Sequence, residues 1–255
     1  MCGRFAQART PEELTQVFDL ASCVDLAPRY NLAPGTDIPV VRRSPDGMRV
    51  LHRLRWGLVP HWSKDPAIGA RLINARAESV QDKPAFRGAF QHRRCLIPAD
   101  GFYEWRRQGA PKQPFYFSSP AGQVLAFGGL WESWQPPAGD LLRSVCILTT
   151  AANPGVAPIH DRMPLLLAPA DWATWLAGTP AEAQALLRPA PEAALQSWPA
   201  VRGSTGSRRK GRTWLRRTGT HRRTEPGHRD GELLWWGCVH GPFSLCMAPT
   251  ENLSP

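Results

Sequence analysis

An α+β fold, built around a curved, partly closed mixed or antiparallel β-sheet core with short flanking helices, is what this sequence predicts. Short β-prone runs outnumber helical patterns through the first 200 residues. The chain carries 26 prolines, which cut it into short elements joined by fixed turns. No internal repeat and no dinucleotide-binding glycine motif occurs, which argues against a solenoid or a doubly wound nucleotide fold.

The elements follow in order. Thr10 to Phe18 predicts a helix. Thr10 caps it, Pro11 suits the first helical position, Glu13 completes a capping box, and Leu14, Val17 and Phe18 share a face. A loop leads into a strand bearing Ile38, Val40 and Val41, and "MRVLHRLRW" predicts the next. "PAFRGAF" predicts a short helix, followed by a strand over Cys95–Ile97, a loop and a further strand through Glu104. "QPFYFSS" and "VLAFGGLWESW" predict strands of the same sheet. "SVCILTTAA" is the strongest strand pattern, ending at Asn153-Pro154. "MPLLL" predicts a short strand, and "PADWATWLAG" and "PAEAQALLRPA" predict helices.

Composition sets the organisation. Formal net charge is +10, but residues 202–232 alone hold nine arginines and one lysine against three acids. The first 201 residues carry only +4, so any argument for a polyanionic partner rests on where arginines sit in the body. A domain over 1–200 and a divergent basic tail over 201–255 are expected, the tail disordered because it has no hydrophobic period. The six cysteines (2, 23, 95, 146, 238 and 246) show neither C-x-x-C nor a ligand spacing with histidine, so neither a metal site nor a cofactor is expected. No secretory pattern and no apolar run of membrane-spanning length occurs. A cytoplasmic monomer is the expectation.

The chain opens Met1-Cys2-Gly3-Arg4-Phe5. Loss of Met1 would put a free α-amine beside the Cys2 thiol. The amine can condense with an aldehyde, and the thiol can then close a five-membered ring. With ordinary pKa values of about 7.7–8.0 for the amine and about 8.5 for the thiol, useful fractions of both are reactive near neutrality. The plainer reading of Cys2 is a buried cysteine early in the chain.

Four polar segments interrupt or end apolar strands, where sites tend to lie: the terminus with Cys2, "LINARAES" with Asn74, Arg76 and Glu78, "IPADGFYEW" with Asp100, Glu104 and Trp105, and "LTTAANPGVAPIHDRMP" with Thr149, Asn153, His160, Asp161 and Arg162. Taken singly, Asn74 could cap a turn, Glu104 could be a solvated strand residue paired with Arg76, and His160 could sit on a surface loop.

Taken together, "MCGRF" at 1–5, "RWGLVPHW" at 55–62, "INARAES" at 73–79, "KPAFRGAF" at 83–90, "RRCLIPADGFYEW" at 93–105, "FGGLWESW" at 127–134, "ILTTAAN" at 147–153 and "IHDRMPLLL" at 159–167 closely resemble the SOS response-associated peptidase family, also called abasic site processing proteins. The resemblance spans residues 1 to about 199 and implies that family's fold. It also implies an enzyme that binds single-stranded DNA and forms a covalent thiazolidine crosslink through Cys2 with the aldehyde of an abasic site, after removal of Met1. Asn74, Glu104 and His160 are implied as polar partners of Cys2. Arg4 and Arg76 are implied as phosphate contacts, and Trp62 and Trp105 as base-stacking or groove-lining positions. Beyond Trp198 the chain departs from the family's usual continuation.

The residue types suit that chemistry. A glutamate beside the amine can take its proton and return it to the departing hydroxyl. A histidine near the sugar ring oxygen can help open the closed hemiacetal. An asparagine can hold the Cys2 backbone or thiol without adding charge. Arginines grip phosphates, and aromatics stack on bases without sequence preference. Two other readings stand beside it. One is an N-terminal-cysteine peptidase acting mainly on itself. The other is a non-catalytic single-stranded DNA-binding module. Removal of Met1 by the chain itself and removal by a methionine aminopeptidase are both open from the sequence.

Overall fold

The computed structural model describes residues 2–106 and 113–200. The expected tail, 201–255, lies outside the described residues. The elements run β1 (Phe5–Gln7), α1 (Pro11–Phe18), β2 (Arg29–Leu32), β3 (Asp37–Arg43), β4 (Arg49–Trp56), β5 (Asn74–Arg76), α2 (Pro84–His92), β6 (Arg94–Ala99), β7 (Gly101–Trp105), β8 (Pro114–Ser118), β9 (Leu125–Trp134), β10 (Leu142–Ala151), β11 (Arg162–Pro164), α3 (Trp172–Ala177), α4 (Pro180–Ala185) and β12 (Gln196–Pro199). The fold is α+β, as the sequence predicts.

Five strands close on themselves. β4, β3, β6, β9 and β10 pair antiparallel in that order, and β10 returns to β4 in parallel, with Ser144 opposite Arg55 and Val145 opposite Trp56. Closure removes both edges of the sheet. Alternation along each strand then sorts its side chains into two sets. Ile38, Val40, Leu54, Trp56, Cys95, Ile97, Phe127, Val145 and Ile147 form one cluster, inside the barrel. Val41, Leu51, Leu96, Ala126, Leu130, Cys146 and Leu148 form another with Leu14 and Phe18 of α1, Phe86 and Phe90 of α2, and Trp172 and Trp175 of α3. The helices therefore cover the barrel's outer wall.

α1 starts as its sequence dictates. The Thr10 side chain accepts from the Glu13 N–H, and the Glu13 carboxylate accepts from the Thr10 N–H. Buried Arg94 closes two helix ends at once. Its guanidinium donates to the carbonyls of Phe90 and Gln91 at the end of α2, and to those of Trp175 and Gly178 at the end of α3. A cation at a helix C-terminus also meets the negative end of the dipole.

The second sheet, ordered β12-β8-β7-β1-β2, lays its inner face on the barrel. Phe5 meets Trp56 edge-on at 5.4 Å and Phe127 at 5.8 Å, and Phe102 stacks on Phe117 at 5.0 Å. The chain passes from barrel to second sheet at Asp100, between β6 and β7. There Asp100 accepts from the Ala8 N–H at 2.6 Å and from Arg9 Nε at 3.0 Å. At the next residue β7 runs close against β8. A Cβ on Gly101 would collide with the Phe117 carbonyl oxygen and sit 2.5 Å from the Tyr116 ring.

Because that obstacle is backbone, it cannot swing aside. Gly101→Ala is expected to destabilise the protein by about 1–3 kcal/mol, the usual range for overpacking. A lowered midpoint in chemical denaturation checks this, and an unchanged midpoint would mean that the β7–β8 pair yields freely.

Candidate active site

Beyond the barrel, the last residues of β10 pair on both sides with short strands. Ile147, Leu148 and Thr149 run parallel to Asn74, Ala75 and Arg76 of β5, while Thr149, Thr150 and Ala151 pair with Pro164, Met163 and Arg162 of β11. One strand end thus gathers two of the four polar segments. The other two arrive through the second sheet. Phe5 of β1 lies opposite Phe102 of β7, and continuing that antiparallel register sets Glu104 opposite Gly3, next to Cys2. Alternation puts Glu104 on the same face as Phe102, towards the barrel, and it is 3% exposed.

Cys2 has no exposed surface and belongs to the cluster that fills the barrel. Its carbonyl accepts from Asn74 Nδ2 at 2.9 Å, so Asn74 ties the terminus to β5 and through it to β10. The Cys2 thiol points at the Arg4 carbonyl oxygen, 3.9 Å away. Burial pushes the thiol well above its ordinary pKa, and the negative charge of Glu104 pushes it further. The ordinary thiol expected from the sequence is therefore corrected: Cys2 is held protonated at neutral pH. Asn74 Oδ1 is buried and has no hydrogen-bond partner among the described residues.

His160 stands at the end of a turn built by Asn153. Asn153 Oδ1 accepts from the Val156 N–H at 3.0 Å, and its Nδ2 donates to the carbonyls of Ala190 and Pro191. The turn leaves His160 buried, with Nε2 3.9 Å from Glu104 Oε2. Two groups compete for Nδ1. The Arg162 N–H donates to it at 2.9 Å, and Asp161 Oδ1 lies 3.0 Å away. The backbone donor cannot turn round, whereas the Asp161 side chain is 64% exposed. We therefore assign the Nδ1 lone pair to the Arg162 N–H. In the neutral ring the proton then sits on Nε2, facing Glu104.

Arg162 and Glu78 make a fork that the sequence reading did not single out as a pair. Arg162 donates from Nη1 and Nη2 to the two Glu78 oxygens at 2.7 and 2.8 Å, and from Nη2 to the Thr149 carbonyl at 2.6 Å. The guanidinium holds the Glu78 carboxyl below its ordinary pKa. The pair clamps β11 and the turn after β5 onto β10, which fixes the approach to His160.

Of the other residues nominated from sequence, Arg76 is exposed at the end of β5 opposite Thr149, and Arg4 is half-buried two residues from Cys2. Trp105 is half-buried and packs against the Tyr103–Tyr116 cluster on the outer face of the second sheet. Trp62 is 51% exposed and sits elsewhere. Its neighbours dock on the far end of β9, where Trp134 Nε1 donates to the Ser63 carbonyl and His61 Nδ1 lies 3.4 Å from Glu132. The structure brings together Cys2, Asn74, Glu104 and His160, sets Arg4 and Arg76 two residues along the chain from Cys2 and Asn74, and leaves Trp62 apart. No cluster of metal-ligating side chains occurs among the described residues, and none of their helices is long and apolar enough to cross a membrane.

A cysteine at position 2 sealed into a barrel core beside a buried carboxylate and histidine defines a class of protein, and comparison with known sequences agrees with it. The family model for SOS response associated peptidase (SRAP) matches residues 1–203. The chain belongs to that family. It is 39% identical over 180 residues to the abasic site processing protein YoqW of Bacillus subtilis, a match covering 69% of this chain and 80% of that one. It is 35% identical over 182 residues to the abasic site processing protein YedK of Escherichia coli, covering 69% and 79%. A crystal structure of a Bacteroides thetaiotaomicron protein shares the fold, with a TM-score of 0.76 at 22% identity, over 85% of this chain and 99% of that one.

The electrostatics around Cys2 give a direct expectation. Since the Glu104 charge helps to keep the thiol protonated, Glu104→Gln should raise the thiolate fraction and speed alkylation of Cys2 by iodoacetamide. Each unit by which the pKa falls gives about tenfold. Peptide mapping of the alkylated protein reads the rate at Cys2 alone. A slower rate in the variant would contradict the assigned influence of Glu104.

Proposed function

We propose that this protein processes abasic sites in single-stranded DNA by forming a thiazolidine crosslink through Cys2. The observation that carries the proposal is the hydrogen bond from Asn74 to the Cys2 carbonyl, which holds residue 2 beside Glu104 and His160. The named relatives support the general activity. The covalent step is argued from the chemistry of the site.

Loss of Met1, through Cys2 itself or through a methionine aminopeptidase, frees the α-amine. The amine attacks the C1′ aldehyde of the ring-opened sugar and forms a carbinolamine. Glu104 takes a proton from the amine and returns it to the hydroxyl, which leaves as water to give an imine. The Cys2 sulfur then bonds to the imine carbon, and the thiol proton passes to the nitrogen. The net change is aldehyde plus aminothiol giving thiazolidine plus water. His160, with its Nε2 proton directed into the site, serves the sugar ring oxygen when the closed hemiacetal opens. Asn74 Oδ1 is available to accept from the Cys2 amine or the carbinolamine hydroxyl.

The same groups answer the high thiol pKa. An α-ammonium freed beside Glu104 offsets the charge that otherwise keeps the sulfur protonated. Prior positioning supplies the rest, because amine, sulfur and carbon must meet within about 3–3.5 Å. Arg4 and Arg76, two residues along the chain from Cys2 and Asn74, suit phosphates on either side of the lesion. Trp105, on the outer face of the second sheet, suits a base stacked outside the reacting group. A sugar without a base has already lost its stacking partner, which eases entry. Trp62 is left out of this cleft.

The test uses an oligonucleotide in which uracil has been excised by a glycosylase. The protein should give an adduct that survives denaturing electrophoresis without borohydride, and Cys2→Ala should give none that survives unreduced. Glu104→Gln and His160→Ala should slow formation by roughly 10²-fold, the lower range for proton-transfer groups, without altering the adduct's mass. An equally stable adduct from Cys2→Ala would overturn the proposal. It would leave a lysine-based lyase or a plain DNA-binding module.

A further inference from the structure

The barrel has a second end, and its lining differs from the first. On β3, β4 and β10 the inward positions carry Val40, Leu54 and Val145. The next inward position on each strand, moving away from Cys2, is Arg42, His52 and Arg143. On β9 the matching place is taken by Trp131, which packs against the same interior cluster. All four lie where β3 and β9 end and where β4 and β10 begin, the end remote from the active-site group.

Three of these side chains are in contact, and the charge of the fourth, Arg143, acts on Arg42 and His52. The Arg42 guanidinium lies over the Trp131 ring at 5.1 Å, and its Nη2 is 3.2 Å from His52 Nε2. Arg42 Nε is buried and has no hydrogen-bond partner among the described residues. A guanidinium only donates, so His52 Nε2 accepts and the ring is neutral with its proton on Nδ1. Burial and the positive charges of Arg42 and Arg143 hold His52 below its ordinary pKa, and burial and Arg143 do the same to Arg42. Among the described residues, no carboxylate is among the charges acting on either. The Cys95 thiol is the acidic group that acts on Arg42 there, and burial keeps it protonated. Glu132, beside Trp131 in sequence, turns to the other side of β9, where Arg93 and His61 meet it.

We propose that this mouth is a binding site for a phosphate-class oxyanion, held by Arg42 and Arg143 and completed by His52. Like charges gathered without a counter-charge repel one another, and an anion between them removes that cost. Stacking on Trp131 fixes the plane of the Arg42 fork, so little freedom is lost when it grips two oxygens. A bound anion also favours protonation of His52. Its Nε2 then becomes a donor, its bond from Arg42 is lost, and Arg42 Nη2 is released to the ligand. The site does not rest on the Cys2 reaction. Its ligand is either a free phosphate or a phosphodiester of nucleic acid, two sources of one chemistry.

The test is the titration of His52 followed by NMR in the full chain, assigned with a His52→Gln variant. Spectra are taken with no addition, with inorganic phosphate, and with a short thymidine oligonucleotide lacking any abasic site. A rise in the His52 midpoint with inorganic phosphate that is lost in Arg143→Gln supports the proposal and identifies a free-anion site. A rise seen only with the oligonucleotide, lost in the same variant and weakened by added salt, supports it and identifies the nucleic-acid backbone. Arg143 is exposed, so its replacement leaves the fold in place. Phosphate affinity should fall by roughly tenfold with the loss of that one charge-assisted contact. No movement of the His52 midpoint with either probe overturns the proposal, and so does a movement that persists unchanged in Arg143→Gln. Crosslinking to abasic DNA is not part of the readout, so failure here and failure of the Cys2 proposal are separate results.

Discussion

The hydrogen bond from Asn74 Nδ2 to the Cys2 carbonyl is the constraint on which the site depends. A chain terminus ordinarily frays, because few contacts repay the entropy of ordering it. Here the second residue is part of the core, packed with Phe5, Ile147 and Met163. Asn74 fixes the backbone that packing alone would leave free to slide. It does so without charge, which matters in a place already holding a buried carboxylate. The thiol and the amine position then take their orientation from the barrel wall rather than from a mobile tail.

The barrel supplies that wall through one strand. β10 closes the cylinder against β4 and β9, and then extends beyond it to pair with β5 and β11. Asn74, Arg76 and the loop bearing His160 are thus referenced to the same backbone. The second sheet brings Cys2 and Glu104 from the other side, pinned by the aromatic contacts of Phe5 with Trp56 and Phe127. A site assembled from two sheets at the end of a closed barrel needs both sheets rigid. The Arg162–Glu78 fork and the Asn153 turn stiffen the one loop, 153–161, that strand pairing does not hold.

Much of this was legible in the sequence. The α1 capping box and the strands over Asp37–Arg43, Arg49–Trp56, Arg94–Ala99 and Leu142–Ala151 are local patterns and occur where those patterns place them, whereas Arg29–Leu32, expected as loop, pairs as β2, and the short β5 and β12 carry no such pattern. The four polar segments could be seen as ends of strands, and the resemblance joined them into one site. Longer-range physics was not legible. The parallel joint of β10 with β4 links residues about ninety positions apart, which no local period encodes. Arg94 stands in a run of basic residues that reads as surface, yet it is buried against four carbonyls from two helix ends. The perturbed Cys2 thiol follows from burial, which sequence alone offered only as the plainer of two readings. Trp62 lies in a matching motif, but its loop docks on the far end of β9. The basic mouth of the barrel is visible only once closure tells which alternate residues face inward.

The central claim is chemical: a single carbon of the sugar becomes bonded to both the nitrogen and the sulfur of residue 2. An abasic oligonucleotide labelled with ¹³C at C1′ reports this directly when its adduct with the protein is observed by NMR. The account predicts a saturated carbon signal coupled to the Cys2 nitrogen, in an adduct that peptide mapping assigns to residue 2. An unsaturated imine carbon as the final product, or attachment mapped to a lysine, would contradict it.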